Sequence, residues 1–252
     1  MSAILELREV TVAFGGLVAV DGASFTVGEG TIVGLIGPNG AGKSTVFNAI
    51  NGVHRPSAGS IAFAGRELVG MAPQRIARLG IARAHQVVRP LADLTVLDNV
   101  TVGACFGRDG LGLAAGRRVA AEVIDRLGLG ERAAQPAGTL NVAQKKRLEL
   151  ARAMAARPRL LLVDEVLAGL NPGEVAEMLG VFREIRAAGT TVLMIEHLMH
   201  AVMNVCDRVV VLDYGRRIAE GTPAEVQADP AVVEAYLGDP RAAERLMAEA
   251  AR

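Results

Sequence analysis

The hydrophobic positions change rhythm along the chain. From Ile4 to about Phe63 they come in short alternating or β-branched stretches broken by glycines. These are Leu5-Glu6-Leu7, Ser24-Phe25-Thr26-Val27, Thr31-Ile32-Val33-Gly34-Leu35-Ile36 and Ser60-Ile61-Ala62-Phe63, each read as a strand. Thr31 to Ile36 stands apart. It is almost wholly apolar, as a strand covered on both faces should be, and it runs directly into a glycine-rich turn and a helical segment from Gly42 to Asn51. From about Pro73 to Ala156 the pattern becomes helical, with Ala/Leu/Arg-rich stretches such as Val119 to Leu127. Two more buried strands are expected at Arg159 to Asp164 and Thr190 to Ile195, with a helix from about Pro172 to Ala188 between them. Strand, helix and strand in that order imply a right-handed parallel crossover. Asp207 to Leu212 and Arg217 to Glu220 read as a closing strand pair turned at Tyr214-Gly215, and Asp239 to Arg252 reads as a helical tail.

Composition sharpens this picture. Of the 252 residues 51% are hydrophobic but only 3% aromatic, with no Trp, so the core must be built from Val, Leu, Ile and Ala. That is what helices packed on a parallel sheet require. The 27 basic residues balance 27 acidic ones, so no global field favours nucleic acid or an anionic membrane, and a partner must be recognised by local shape. The cysteines, Cys105 and Cys206, have no metal-ligand spacing and read as two buried reduced thiols. Glu6, Arg8 and Glu9 interrupt the first apolar stretch, which argues against a signal peptide. The longest apolar runs, such as Leu160 to Val163, fall far short of the ~20 residues a membrane helix needs, so any membrane role runs through a partner.

The segment Gly37-Pro38-Asn39-Gly40-Ala41-Gly42-Lys43-Ser44-Thr45 fits GxxxxGK[ST], between a buried strand and a helix, as that motif demands. Its glycines let successive backbone N–H groups turn inward on phosphates, and the helix N-terminus adds a positive dipole. Lys43 can reach the β- and γ-phosphates of ATP, and Ser44 can offer its hydroxyl to Mg²⁺. A second strand, Arg159 to Val163, ends in Asp164 and Glu165. In phosphate-loop enzymes an acid at such a strand end holds Mg²⁺, so Asp164 is the metal candidate. Neighbouring strand residues face opposite ways, but at a strand end both carboxylates can turn to the nucleotide, leaving Glu165 to polarise an attacking water.

With both motifs in place, the chain from about residue 4 to residue 238 resembles the ABC-type ATPases, α/β proteins with a P-loop NTPase, RecA-like core. The resemblance implies an N-terminal antiparallel β region and core over about 4–85 and 157–222, a helical subdomain over about 86–156, and a tail over 239–252. Gln86 matches the Q-loop glutamine, which in the family contacts Mg²⁺ and senses the membrane subunit. Leu140-Asn141-Val142-Ala143-Gln144, leading into a helix from Lys145 to Ala156, occupies the signature position. Asn171 matches the D-loop, His197 the switch histidine on the γ-phosphate, and Phe14 the aromatic that stacks on adenine. Lys145-Lys146-Arg147 reads simply as the exposed face of a helix whose Leu148 and Ala151 point inward.

Within the family the C-terminal half is similar to the ATPases of branched-chain amino-acid importers. It does so through Ala168-Gly169-Leu170-Asn171-Pro172, Ile195-Glu196-His197, Gly221-Thr222-Pro223 and Ala235-Tyr236-Leu237-Gly238. ATPases for urea uptake and lipopolysaccharide export share much of this ending. The resemblance implies a peripheral subunit on the cytoplasmic face of the cell membrane. Its partners would be a second ABC ATPase subunit, in a hetero- or homodimer, two transmembrane permease subunits and, indirectly, a periplasmic or extracellular substrate-binding protein, with no nucleic acid. The usual signature, LSGGQ, is altered, because Asn141, Val142 and Ala143 replace Ser, Gly and Gly. Asn141 can still donate from its amide, but Val142 and Ala143 restrict close backbone approach to the partner's nucleotide. A nucleotide-binding subunit that does not hydrolyse is the rival reading, opposed by the intact Glu165 and His197.

Overall fold

The computed structural model describes residues 2–237. The helical tail expected over 239–252, and Gly238 before it, lie outside the described residues. Two compact units emerge, one comprising the chain up to Pro73 and again from Thr191, the other Gln74–Thr190.

The first unit opens with two long strands, β1 (Ala3–Phe14) and β2 (Leu17–Gly28), joined at Gly15-Gly16. The sequence pattern showed only the early part of β1, Leu5 to Leu7, and the late part of β2, Ser24 to Val27. Their register slips repeatedly between Leu7 and Ala13, where Glu9 takes a positive φ, and that irregularity breaks the clean alternation on which strand recognition depends. β3 (Ile32–Ile36) is buried at every position and leads into α1 (Lys43–Ile50). β4 (Ala58–Phe63) and β5 (Arg66–Glu67) then complete an antiparallel sheet in the order β2-β1-β4-β5.

The second unit comprises α2 (Pro73–Leu79), β6 (Ile81–Ala84), α3 (Val96–Phe106), α4 (Leu113–Arg126), α5 (Val142–Ala155), β7 (Leu160–Asp164) and α6 (Pro172–Ala187), with Pro73 itself counted in the first unit. β6 interrupts the stretch after Pro73 whose pattern reads as helical. Ile81-Ala82-Arg83-Ala84 is built largely from helix formers, and it becomes a strand only by pairing in parallel with Leu160 to Val163, some 80 residues later. The start of that pairing is fixed by one carbonyl. Gly80 O accepts from both Arg159 N and Leu160 N, at 2.8 and 3.0 Å. Helices α3 and α5 meet backbone to backbone at Gly103, where a Cβ would stand 2.1 Å from the carbonyl oxygen of Arg152. Ahead of α3 the chain is held by Asn99, whose side chain is fully buried. Its amide accepts from Leu91 N at 2.9 Å and donates to the carbonyls of Leu91, Leu94 and Thr95 at 3.0, 3.3 and 2.9 Å.

The first unit resumes with β8 (Thr191–Ile195), α7 (Met199–Val205), β9 (Arg208–Asp213), β10 (Arg216–Gly221), α8 (Pro223–Ala228) and α9 (Pro230–Leu237). β3 lies parallel between β8 and β9, so its near-total apolarity has the physical cause inferred from the sequence. β10 returns antiparallel on β9 through Tyr214 and Gly215, both at positive φ as a tight hairpin requires. Asp207 closes the start of this sheet, its Oδ2 accepting from Ile32 N at 2.8 Å. Cys206 is buried, and burial pushes its thiol well above the usual range, so it stays protonated. Cys105 is only half-buried, because it lies on α3 outside the sheet core, which corrects the expectation of two buried thiols. Among the described residues no helix is long and apolar enough to cross a membrane.

Replacing Asn99 by Leu keeps the volume but leaves Leu91 N without its acceptor and takes one donor from each of three carbonyls. Urea unfolding followed by circular dichroism is expected to show a loss of about 2 kcal/mol or more.

Candidate functional site

In the first unit, the phosphate-loop candidate begins where β3 stops. Gly37 has φ 146°, and a Cβ there would lie 1.9 Å from the carbonyl oxygen of Leu212. Gly42, the N-cap of α1, has φ 96°, and a Cβ there would lie 2.4 Å from the carbonyl oxygen of Ala19. Only glycine can hold the loop so tightly against β9 and β2. Lys43 is buried, and its ammonium donates to the carbonyls of Gly37 and Pro38 at 2.7 and 2.9 Å, so its charge lies along the loop. Asn39, Gly40 and Ser44 are exposed, Thr45 and Pro38 half-buried and Ala41 buried. Phe14, the last residue of β1, is 46% exposed with its ring edge-on to His54. His197 is half-exposed two residues past β8, behind a buried Glu196.

In the second unit, the acid pair stands where β7 stops. Asp164 is buried; its Oδ2 pairs with Arg83 on β6 at 2.5 Å, while Oδ1 has no hydrogen-bond partner among the described residues. Glu165 turns the chain with φ 46°, a left-handed conformation that a non-glycine residue adopts at a cost. That turn brings it to Gln86, whose side-chain amide donates to Glu165 Oε2. The structure therefore joins two of the sequence candidates, Gln86 and Glu165, directly.

What joins them had not been anticipated. Lys146 is buried, not part of an exposed helix face, and its ammonium donates to the carbonyls of Gln86 at 2.7 Å and Glu165 at 3.3 Å. One turn on, Glu149 is buried and ion-paired with the half-buried Arg152, and its Oε1 accepts from His85 N at 3.3 Å; Arg152 in turn donates to the carbonyl of Arg89 at 3.3 Å. Lys146, Glu149 and Arg152 thus form a charged stripe at spacings of three along α5, gripping the backbone of the 85–89 loop. The spacing was the available signal. It was hidden because charged residues at three-residue spacing ordinarily mark a solvated face. Desolvation, reinforced by the Arg83 guanidinium, lowers the His85 imidazole below its ordinary value and favours its neutral form.

Asn141 and Asn171 prove to be helix caps. Asn141 Oδ1 accepts from Gln144 N at 2.9 Å while Gln144 Oε1 accepts from Asn141 N at 3.1 Å, and Asn171 and Glu174 do the same for α6. The helix expected from Lys145 therefore begins at Val142, whose side chain is 61% exposed.

Asp164 Oδ1 is buried and has no hydrogen-bond partner among the described residues, and a hard carboxylate oxygen of this kind suits a divalent cation such as Mg²⁺.

Residues 20–168 match the family model described as ABC transporter. This chain belongs to the ABC transporter family. Residues 216–242 match a second model, described as Branched-chain amino acid ATP-binding cassette transporter. Across 94% of this chain and 98% of the relative, it is 40% identical to the high-affinity branched-chain amino acid transport ATP-binding protein BraF of Pseudomonas aeruginosa. With the same coverage it is 39% identical to the corresponding LivG protein of Escherichia coli K12. Among solved structures it matches a nucleotide-free ATP-binding cassette from an ABC transporter, with TM-score 0.85, 31% identity, and 94% of this chain and 100% of that one covered. The ADP conformation of an ATP-binding cassette fits equally well, with TM-score 0.85 and 31% identity over 95% of this chain and 100% of that one. The chain is an ABC ATPase with the P-loop NTPase fold expected from its motifs.

Because Gly42 has neither the φ nor the space for a side chain, Gly42→Ala is expected to weaken ATP binding at least tenfold, and Lys43→Ala to abolish it. Titration with a fluorescent ATP analogue measures both, with melting curves to confirm folding.

Proposed function

We propose that this chain is the ATP-hydrolysing subunit of an importer of branched-chain or related amino acids. The observation that carries the reading is similarity along nearly the whole chain to branched-chain amino acid transport ATP-binding proteins, joined by a C-terminal match to a model for that same class. The urea importer and lipopolysaccharide exporter readings have no comparable support. The subunit works at the cytoplasmic face of the membrane, paired with a second ABC ATPase and bound to two permease subunits. These receive cargo from a periplasmic or extracellular binding protein.

The residues divide the reaction between them. The N–H groups of Gly37 to Thr45 and the Lys43 ammonium hold the β- and γ-phosphates, and Phe14 offers the adenine a face. Ser44, Asp164 and Gln86 are the residues that would hold Mg²⁺, which when bound neutralises phosphate charge. Arg83 occupies one oxygen of Asp164 and so leaves the other for that task. Glu165 orients the attacking water and accepts its proton as the oxygen closes on the γ-phosphorus, and the bond to the ADP oxygen breaks. His197 supports the γ-phosphate. Asn171 caps α6, and its place in the D-loop puts it near the partner's nucleotide.

Where the partner is a different ABC ATPase with a standard signature, the departure at this chain's signature makes the two nucleotide sites of the pair unequal. Val142 and Ala143 present side chains where the family presents glycine, so the site completed by this chain's signature is the weaker. The site built on this chain's own Lys43, Asp164, Glu165 and His197 is completed by the partner and is the stronger. Glu165→Gln is expected to keep ATP affinity while cutting turnover of the assembled transporter at least a hundredfold. The equivalent change in the partner should cost less. Phosphate release and uptake of radiolabelled leucine measure both; equal losses would remove the inequality, and normal turnover in Glu165→Gln would remove the assignment of the base.

A further inference from the structure

Gln86, Glu165 and Lys146 close a ring. The Gln86 side chain donates to the Glu165 carboxylate, and the backbone carbonyls of the same two residues both accept from the Lys146 ammonium, at 2.7 and 3.3 Å. A buried lysine is costly unless its charge is met by acceptors, and this one spends its donors on the backbone of two residues whose side chains already touch. Glu165 gains from this, because its positive φ is what turns its carbonyl toward α5, and the bond from Lys146 opposes relaxation of that turn. The charge also comes from a defined place. Lys146 lies in the first turns of α5, the helix that starts at the Asn141 cap.

We propose that Lys146 is a positioning residue for ATP hydrolysis: one buried ammonium fixes Gln86 and Glu165 relative to each other and ties both to the helix that begins at the signature. The inference rests on the reading of Glu165 as the residue that activates water. Lys146 touches no substrate; it sets the geometry in which Glu165 works, and it makes a displacement of α5 felt at Gln86 and Glu165 together. Neither Glu149 nor Arg152 substitutes for it, since they hold the 85–89 loop on either side of Gln86, at His85 and Arg89.

Lys146→Met, which keeps the apolar stem, and Lys146→Arg, which keeps the charge, test this in the assembled transporter. For Met the expected result is a fall in kcat of at least tenfold with KM for ATP within threefold, and Arg should recover most of the loss. On the purified chain, backbone amide exchange should quicken at least tenfold around residues 86–88 and 165–168 and stay unchanged in the loop 37–45. A purely structural lysine would lower the melting temperature without separating kcat from KM or confining the exchange. Two results overturn the proposal. One is a Met variant with kcat within twofold of the parent, and the other is unchanged exchange at both segments. Glu165→Gln run in parallel keeps the two readings apart. If it turns over normally the base assignment fails, whereas if it is dead and Lys146→Met is normal only the role of Lys146 fails.

Discussion

A strand buried on both faces can carry no polar chemistry until it ends, and that constraint decides where this molecule keeps its reactive groups. Every residue of β3, β7 and β8 is buried. The phosphate loop follows β3, the pair Asp164-Glu165 closes β7, and Glu196-His197 follow β8. Where ligands bind open parallel sheets they do so outside the carboxyl ends of the strands. The strands give rigidity without competing for protons, and the loops inherit fixed starting points.

The constraint has a backbone cost at the points where β3 and β7 turn into their loops. At Gly37 glycine meets it, because the carbonyl of Leu212 leaves no room for a Cβ. Glu165 meets it with a full side chain, at φ 46°. A left-handed non-glycine residue persists only when its surroundings over-determine it. Here the surroundings are identifiable: Gln86 holds the carboxylate and Lys146 the carbonyl.

Much of this could be read in the sequence because it rests on local rules. The apolar run Thr31 to Ile36, the glycine spacing from Gly37 to Gly42 and the two acids after Val163 each specify their structure within a few residues. What escaped notice is specified by distant partners. Ile81 to Ala84 has no local reason to be a strand and becomes one against Leu160 to Val163. Asn99 looks like any helical asparagine until the loop from Leu91 to Thr95 wraps onto it. Lys146 sits in a run of basic residues that local reasoning assigns to water, yet the carbonyls that receive it come from segments 60 residues before it and 19 after. Burial of Leu148 and Ala151 on the same helix was legible because apolar periodicity needs no knowledge of the partner.

The altered signature becomes intelligible once its two duties are separated. A signature segment must start α5, and on the proposed reading it must also approach a nucleotide held by another subunit. Asparagine caps a helix as well as serine does, and the reciprocal bonds between Asn141 and Gln144 show the first duty fully met. On that reading the second duty depends on backbone approach, which the side chain of Val142, 61% exposed, would obstruct. Loss of the second leaves the first untouched, so α5 still begins at the register that delivers Lys146 to Gln86 and Glu165, Glu149 to His85, and Arg152 to Arg89. A chain can therefore weaken the contact it makes for its partner while keeping the whole support of its own acid. Substitutions at Val142 and Ala143 with an intact Lys43, Asp164 and Glu165 are the combination that separation permits.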